Sequence, residues 1–268
     1  MATSKPEILL TVKNLEVVYH DVVMAIQGVS FDIPGNSIVA VLGVNGAGKT
    51  TTLKAISGFL TSDNAKITDG TIEFGGKRIS GKDPYKISRQ GVILIPERDK
   101  IFITLTVEEN LRACLASGRD RARMLDQVIG YFPVLKKTWR KIAGYLSGGE
   151  RQMLAMAQGL LSSPKLLMVD ELSFGLAPII VNELMEILSH LRRDMGLTIL
   201  VVEQNATAAL KIADYGYIME NGRIVYKGTT QELSAHEDVR EFYLGLGEKT
   251  IKSYRDVKQY RRIRRWWG

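Results

Sequence analysis

The sequence predicts an α/β fold with a mixed central sheet, an N-terminal antiparallel β region and an inserted helical subdomain. Three observations carry that reading. The runs Ser37–Leu42, Leu166–Val169 and Thr198–Val202 are continuously apolar, as strands buried on both faces are. Between the last two, Ile180, Leu184, Ile187, Leu188 and Leu191 recur at i, i+4, i+7, i+8 and i+11, the stripe of a helix lying on a sheet. Late in the chain, Asn221-Gly222 separates Tyr217–Met219 from Arg223–Tyr226 and marks a tight hairpin.

The remaining elements follow in order. Ile8–Val12 and Glu16–Tyr19 are β-rich, and Val29–Ile33 leads into a Pro34-Gly35 turn. After Ser37–Leu42 comes a glycine-rich loop, then helical spacing over Lys49–Phe59. Thr71–Phe74 and Val92–Ile95 read as strands. From about 97 to 164 the chain changes character. Thr106 and Glu109 form a capping-box pattern ahead of helical segments at Val107–Ser117 and Asp120–Tyr131. A second such box, Ser147 with Glu150, opens a helix from Gly148 to about Ser162.

Composition bounds the function. The 268 residues are 45% apolar and 24% charged, enough to bury a sizeable core. A single cysteine, Cys114, excludes an internal disulfide. His20, His190 and His236 share no metal-ligand spacing, so no zinc site is expected. Residues 1–7 hold no apolar segment behind a basic start, and no apolar run approaches the ~20 residues that cross a bilayer. Any membrane role is expected to come through partners. The net charge of +7 sits wholly in residues 249–268, where eight Lys and Arg side chains face one Asp256. A neutral body with a basic, Trp-bearing tail argues against nucleic acid, and the tail is expected to meet a membrane surface, to dock on the protein or to be merely solvated. The domain reading is therefore 1–248 with the insertion at about 97–164, then the tail 249–268.

Gly43-Val44-Asn45-Gly46-Ala47-Gly48-Lys49-Thr50 matches G-x-x-x-x-G-K-[ST] in full, after a buried strand and before a helix. Its glycines let backbone N–H groups of Gly43, Asn45, Gly46, Ala47 and Gly48 curl around phosphate oxygens. The helix N-terminus, with Thr50 and Thr51, adds partial positive charge. Lys49 neutralises β/γ-phosphates and Thr50 ligates Mg²⁺ in such loops. Leu166–Val169 ends in Asp170-Glu171, which suits a magnesium-holding carboxylate followed by one that accepts a proton from attacking water. Leu146-Ser147-Gly148-Gly149-Glu150 places a second glycine-bearing helix N-terminus, hence a second anion site, in the same chain. One nucleotide has no need of both from one subunit. Two subunits packed head to tail can use both.

In chain order, at 43–50, 146–150 and 166–171, the three motifs resemble the P-loop ATP-binding cassette of ABC transporters, over roughly residues 8 to 235. The resemblance implies ATP and Mg²⁺ as cofactors and a dimer, homo- or hetero- with a companion ABC ATPase. Ser147 and Gly149, in the turn with Gly148 and Glu150, would touch the γ-phosphate held by the opposite subunit. It further implies two transmembrane permease subunits, a periplasmic binding protein acting indirectly, and a peripheral place on the cytoplasmic face of the inner membrane. Tyr19 matches the aromatic that stacks on adenine, and Ser173–Leu176 matches the loop that crosses to the partner. Glu97 stands where most cassettes have a glutamine that senses Mg²⁺ and the membrane partner. Gln204 stands where most have a histidine that contacts the γ-phosphate, and it joins Lys49 and Glu171 in the catalytic set. These departures, with G-L-A-P at 175–178 and L-T-V-E-E-N-L at 105–111, look like the second ATPase subunit of importers for branched-chain amino acids. Arg98 and Leu172 depart from that subfamily's P-E-G-R and D-E-P-S. The alternative is a soluble ABC ATPase without transporter partners, for example of iron–sulfur assembly type.

Overall fold

The computed structural model describes residues 7–98, 101–115 and 121–243. The basic tail, Asp99 and the helix ends expected at Ser117 and Asp120 lie outside them. Strands β1 (Ile8–Tyr19), β2 (Val23–Pro34) and β3 (Ile38–Leu42) precede helix α1 (Lys49–Ser57). Then come β4 (Ala65–Phe74), β5 (Lys77–Arg78), α2 (Pro84–Ser88) and β6 (Val92–Ile95). The stretch read as a helical insertion carries α3 (Val107–Cys114), α4 (Arg121–Tyr131), α5 (Pro133–Lys137) and α6 (Gly148–Leu161). Next are β7 (Leu166–Asp170), α7 (Pro178–Met195), β8 (Thr198–Glu203), α8 (Ala206–Leu210), β9 (Tyr215–Glu220) and β10 (Arg223–Thr229). Two short helices, α9 (Thr230–Ala235) and α10 (Glu237–Phe242), follow.

The strands make two sheets. One is antiparallel in the order β2-β1-β4-β5; the other is mixed, in the order β10-β9-β3-β8-β7-β6. In the mixed sheet β6, β7, β8, β3 and β9 run parallel, and β10 turns back on β9 through Asn221-Gly222. β8 therefore lies between β3 and β7, so the three strand ends that carry the motifs stand side by side. Ligands in open α/β sheets gather at such carboxyl ends.

Central-strand residues alternate between two cores. Ile38, Ala40 and Leu42 join α6, α7 and the packed faces of α3 to α5, while Val39 and Val41 join β1, β2, β4 and α1. Each central strand is wholly buried, which is why it reads as an unbroken apolar run. Among the described residues no helix is long and apolar enough to cross a membrane.

Four local expectations are corrected. Ile8–Val12 and Glu16–Tyr19 form one bulged strand, with Asn14 at φ 45° absorbing the irregularity. β4 reaches back from Thr71 to Ala65 because β1 pairs with its polar half as well. α1 stops at Ser57, since Gly58 adopts φ 83° and closes the helix before Phe59. The buried face of α7 is Val181, Leu184, Met185, Leu188 and Leu191, with Ile180 and Ile187 only at its margin. A wide stripe admits more than one register from sequence alone.

Candidate active site

The loop after β3 is shaped by what surrounds it. A Cβ on Gly43 would sit 2.3 Å from the Met219 carbonyl oxygen, so only glycine lets the loop lie against the end of β9. Gly48, at φ 103°, has the left-handed backbone that turns the chain into α1 without a side-chain cap. The β9–β10 turn braces the loop from the other side, with the Gly222 N–H donating to the Ala47 carbonyl at 2.9 Å.

Lys49 opens α1 and is almost wholly buried. Its Nζ donates to the carbonyls of Gly43 (2.9 Å) and Val44 (3.2 Å) and pairs with Glu171 Oε1 at 3.0 Å. Thr50 Oγ1 donates to Asp170 Oδ1 at 3.2 Å. The two halves predicted from separate motifs thus meet in one place. Asp170 ends β7, and burial, opposed by the Thr50 bond and reinforced by the charges of Glu171 and Glu97, pushes its pKa up to about 6. Glu171 takes a left-handed φ of 43°, unusual for a side chain with a Cβ, and its N–H is held by the Val202 carbonyl at 2.8 Å. That kink turns the carboxylate off the strand line and toward Lys49.

A cavity of about 630 Å³ opens over these groups. Asn45, Gly46, Gly48, Lys49, Thr50, Thr51, Glu97 and Glu171 line it, all of them predicted. Asp170 meets the site through Thr50. Tyr19 is not on the wall; it is half-buried at the end of β1, its hydroxyl 3.2 Å from Thr51 Oγ1. Gln204 lies exposed just past β8 and is not on the wall either. The wall also holds Val23, Met24, Ala25, Gln27 and Asn221, which motif reading missed as site residues, together with Arg98 and with Phe174 of the stretch read as the loop that crosses to the partner. The apolar, exposed Val22-Val23-Met24, where a turn enters β2, was the one signal available for part of that set.

Ser147 to Glu150 stand apart from the cavity. The Ser147 N–H donates to Glu150 Oε2 at 2.7 Å and the Glu150 N–H returns to Ser147 Oγ at 3.3 Å, completing the capping box. The Ser147 N–H is the main reason the Glu150 carboxyl lies below its ordinary range. Gly149 packs tightly against Ile180 of α7, while Ser147 and Gly148 face outward.

Comparison with known proteins agrees with this geometry. The profile of the ABC transporter family matches residues 26–173. The chain is 41% identical over 229 residues to the high-affinity branched-chain amino acid transport ATP-binding protein BraG of Pseudomonas aeruginosa, covering 85% of this chain and 96% of that one. It is 39% identical over 220 residues to the probable branched-chain amino acid transport ATP-binding protein LivF of Archaeoglobus fulgidus, covering 81% and 91%. Among solved structures, the ADP conformation of an ATP-binding cassette of an ABC transporter superposes with a TM-score of 0.77 at 25% identity, over 89% of this chain and 99% of that one. With a phosphate loop, a carboxylate pair and a capped glycine turn in place, the chain belongs to the ABC transporter family as one of its ATP-binding, ATP-hydrolysing cassettes.

Proposed function

We propose that this chain powers an importer for branched-chain amino acids or related compounds, hydrolysing ATP between two cassettes that close head to tail. The buried Lys49–Glu171 pair beside Thr50–Asp170 carries the catalytic part of that reading. The loop amides, Lys49, Thr50 and Thr51 hold the phosphates, with the adenine toward Tyr19 and the Val23–Met24 start of β2. When ATP arrives, Lys49 exchanges Glu171 for phosphate oxygen and frees the carboxylate. Glu171 then accepts a proton from water as the water oxygen bonds to the γ-phosphorus. The bond to the bridging oxygen breaks, and ADP leaves with that electron pair. Gln204 donates to a γ-phosphate oxygen through its amide.

The residues present suit Mg²⁺. Thr50, Asp170 and Glu97 offer hard oxygen atoms, and the Asp170 pKa is raised first by burial and then by the charges of Glu171 and Glu97. Bound there, the ion would offset negative charge on the β- and γ-phosphates. Ser147, Gly148, Gly149 and Glu150 face a partner's nucleotide rather than their own, which their distance from the cavity supports.

A membrane partner is proposed to dock beyond Glu97. Gly144 N–H to Ile103 O (2.9 Å) and Ala143 N–H to Leu105 O (2.8 Å) draw two loops together there. They leave Phe102, Ile103 and Tyr145 exposed at 56%, 60% and 74%, an apolar patch that a soluble partnerless ATPase would not need. The cargo assignment rests on what BraG and LivF are named for. The test of catalysis is Glu171→Gln, which should keep ATP binding and lower turnover about 100-fold or more; a wild-type rate would remove the assignment. Uptake of labelled leucine by the assembled transporter tests the cargo.

A further inference from the structure

Glu203 is a carboxylate with no exposure at all, at the end of the strand between the phosphate-loop strand and the Asp170-Glu171 strand. Neither the motif pattern nor the mechanism above uses it. Its Oε1 accepts from the Ser173 N–H at 2.9 Å, and its Oε2 accepts from the Ser173 hydroxyl at 2.6 Å. The Asn205 N–H also donates to it. Its backbone carbonyl takes the Gly43 N–H at 3.3 Å. One buried side chain therefore ties down the residue two past Glu171 and the turn that carries Gln204, while its backbone holds the first glycine of the phosphate loop. A carboxylate so deeply buried is an expensive way to fill space, and an apolar side chain would be cheaper. Its bonds converge on a single corner of the site.

We infer that Glu203 is a positioning residue for ATP hydrolysis: its clasp on Ser173 and Asn205 fixes Glu171 and Gln204 in register. The inference rests on Glu171 being the proton acceptor. Loss of the clasp lets the kink at Glu171 relax while the phosphate loop still binds nucleotide, so turnover falls and affinity does not. An amide can replace the carboxylate, because its oxygen accepts the backbone N–H and its NH₂ donates to the serine oxygen.

The experiment measures steady-state ATP turnover and ATP binding for the full chain in its assembled transporter. Glu203→Ala should lower kcat about tenfold with the ATP Kd within about twofold, and Glu203→Gln should stay within about threefold of wild type. Ser173→Ala should lower kcat about threefold, and the double variant should be no worse than Glu203→Ala. Wild-type turnover in Glu203→Ala overturns the inference, and so does equal loss in the Gln and Ala variants. If Glu203→Ala does not fold, Ser173→Ala decides: unchanged kcat overturns the inference, and a fall with Kd preserved supports it. Glu171→Gln runs alongside as the control. Wild-type turnover in that variant would sink the proton-acceptor reading and this inference with it. A silent Glu171→Gln beside a fully active Glu203→Ala sinks the positioning role alone.

Discussion

The N-termini of α1 and α6 are both glycine-rich, yet the chain treats them differently. At α1, Gly48 offers no side chain to cap the helix, and Lys49 sits buried beneath a cavity of about 630 Å³. At α6, the Ser147–Glu150 capping box satisfies the Ser147 and Glu150 N–H groups, and Ser147 and Gly148 stay exposed. The first end is left unsatisfied for a ligand to complete. The second is held in shape by a capping box that reaches only two of its N–H groups, and it is exposed as a surface. A helix end whose cap fixes its shape suits a group that must present itself to a second molecule, because it keeps that shape between encounters. On our proposal the two ends are halves of one site on different subunits.

The largest expected effect breaks the α1 half. Lys49→Ala should reduce ATP affinity about 100-fold or more, by removing the buried cation at the phosphates. Titration with a fluorescent ATP analogue reads it, and near-normal affinity would refute the role. The α6 half is tested by Gly148→Asp. A carboxylate in the first turn of a helix favours the helix itself, so melting temperature should hold or rise and ATP binding to one subunit should persist. ATP-driven dimerisation and turnover should be lost, through repulsion of the partner's phosphate. If this variant hydrolyses ATP normally, α6 is not a half-site.

A smaller effect separates stability from function within the α1 half. The Asp170 carboxyl titrates near 6 in the fold against an ordinary 3.8, so the folded protein binds the proton more tightly than the unfolded chain. Its contribution is fully present below pH ~4, is lost as pH rises through about 6, and stays lost above. Without nucleotide or Mg²⁺, Asp170→Asn should therefore be more stable than wild type at pH 7.5, by up to about 3 kcal/mol, and no different near pH 4. Denaturation at the two pH values checks this, and equal stabilities at both would contradict it. The smallest effect concerns Gln204, whose amide does not titrate. Gln204→His should add an ionisation near pH ~6.5 to the rate profile, and identical profiles would remove Gln204 from the γ-phosphate.

The α1 half was the more legible in the sequence. Gly43 and Gly48 answer to local demands, a close backbone approach and a left-handed turn, and such demands leave a fixed spacing. Asp170 and Glu171 were found because a strand end can be read from composition. The cavity wall was not legible where the fold brings in distant segments: Asn221 arrives on the β9–β10 turn and Val23 and Met24 from the start of β2. Glu203 escaped notice because a carboxylate closing an apolar strand reads as the start of a surface loop. Only strand order shows that it is enclosed. Tyr19 shows the converse. Matching alone named it, and the structure adds only that its hydroxyl lies 3.2 Å from Oγ1 of Thr51, a residue of the cavity wall.

The shared core of the sheet and the helical insertion bears on how such cassettes can be recombined. Val107, Leu111, Phe132 and Leu135 from the insertion are buried with Ile38, Leu42 and Val169 from the sheet, and Gly159 of α6 lies against Ile95 and Leu167. A graft that exchanged residues 97–164 with those of another cassette would split that core along α6 and leave mismatched surfaces on both sides. Moving the downstream junction to Leu146 would keep α6 with its native sheet and restrict the new seam to contacts from α3, α4 and α5. On the docking proposed for Phe102, Ile103 and Tyr145, partner specificity would then travel with the insertion's outer loops, without rebuilding the catalytic half.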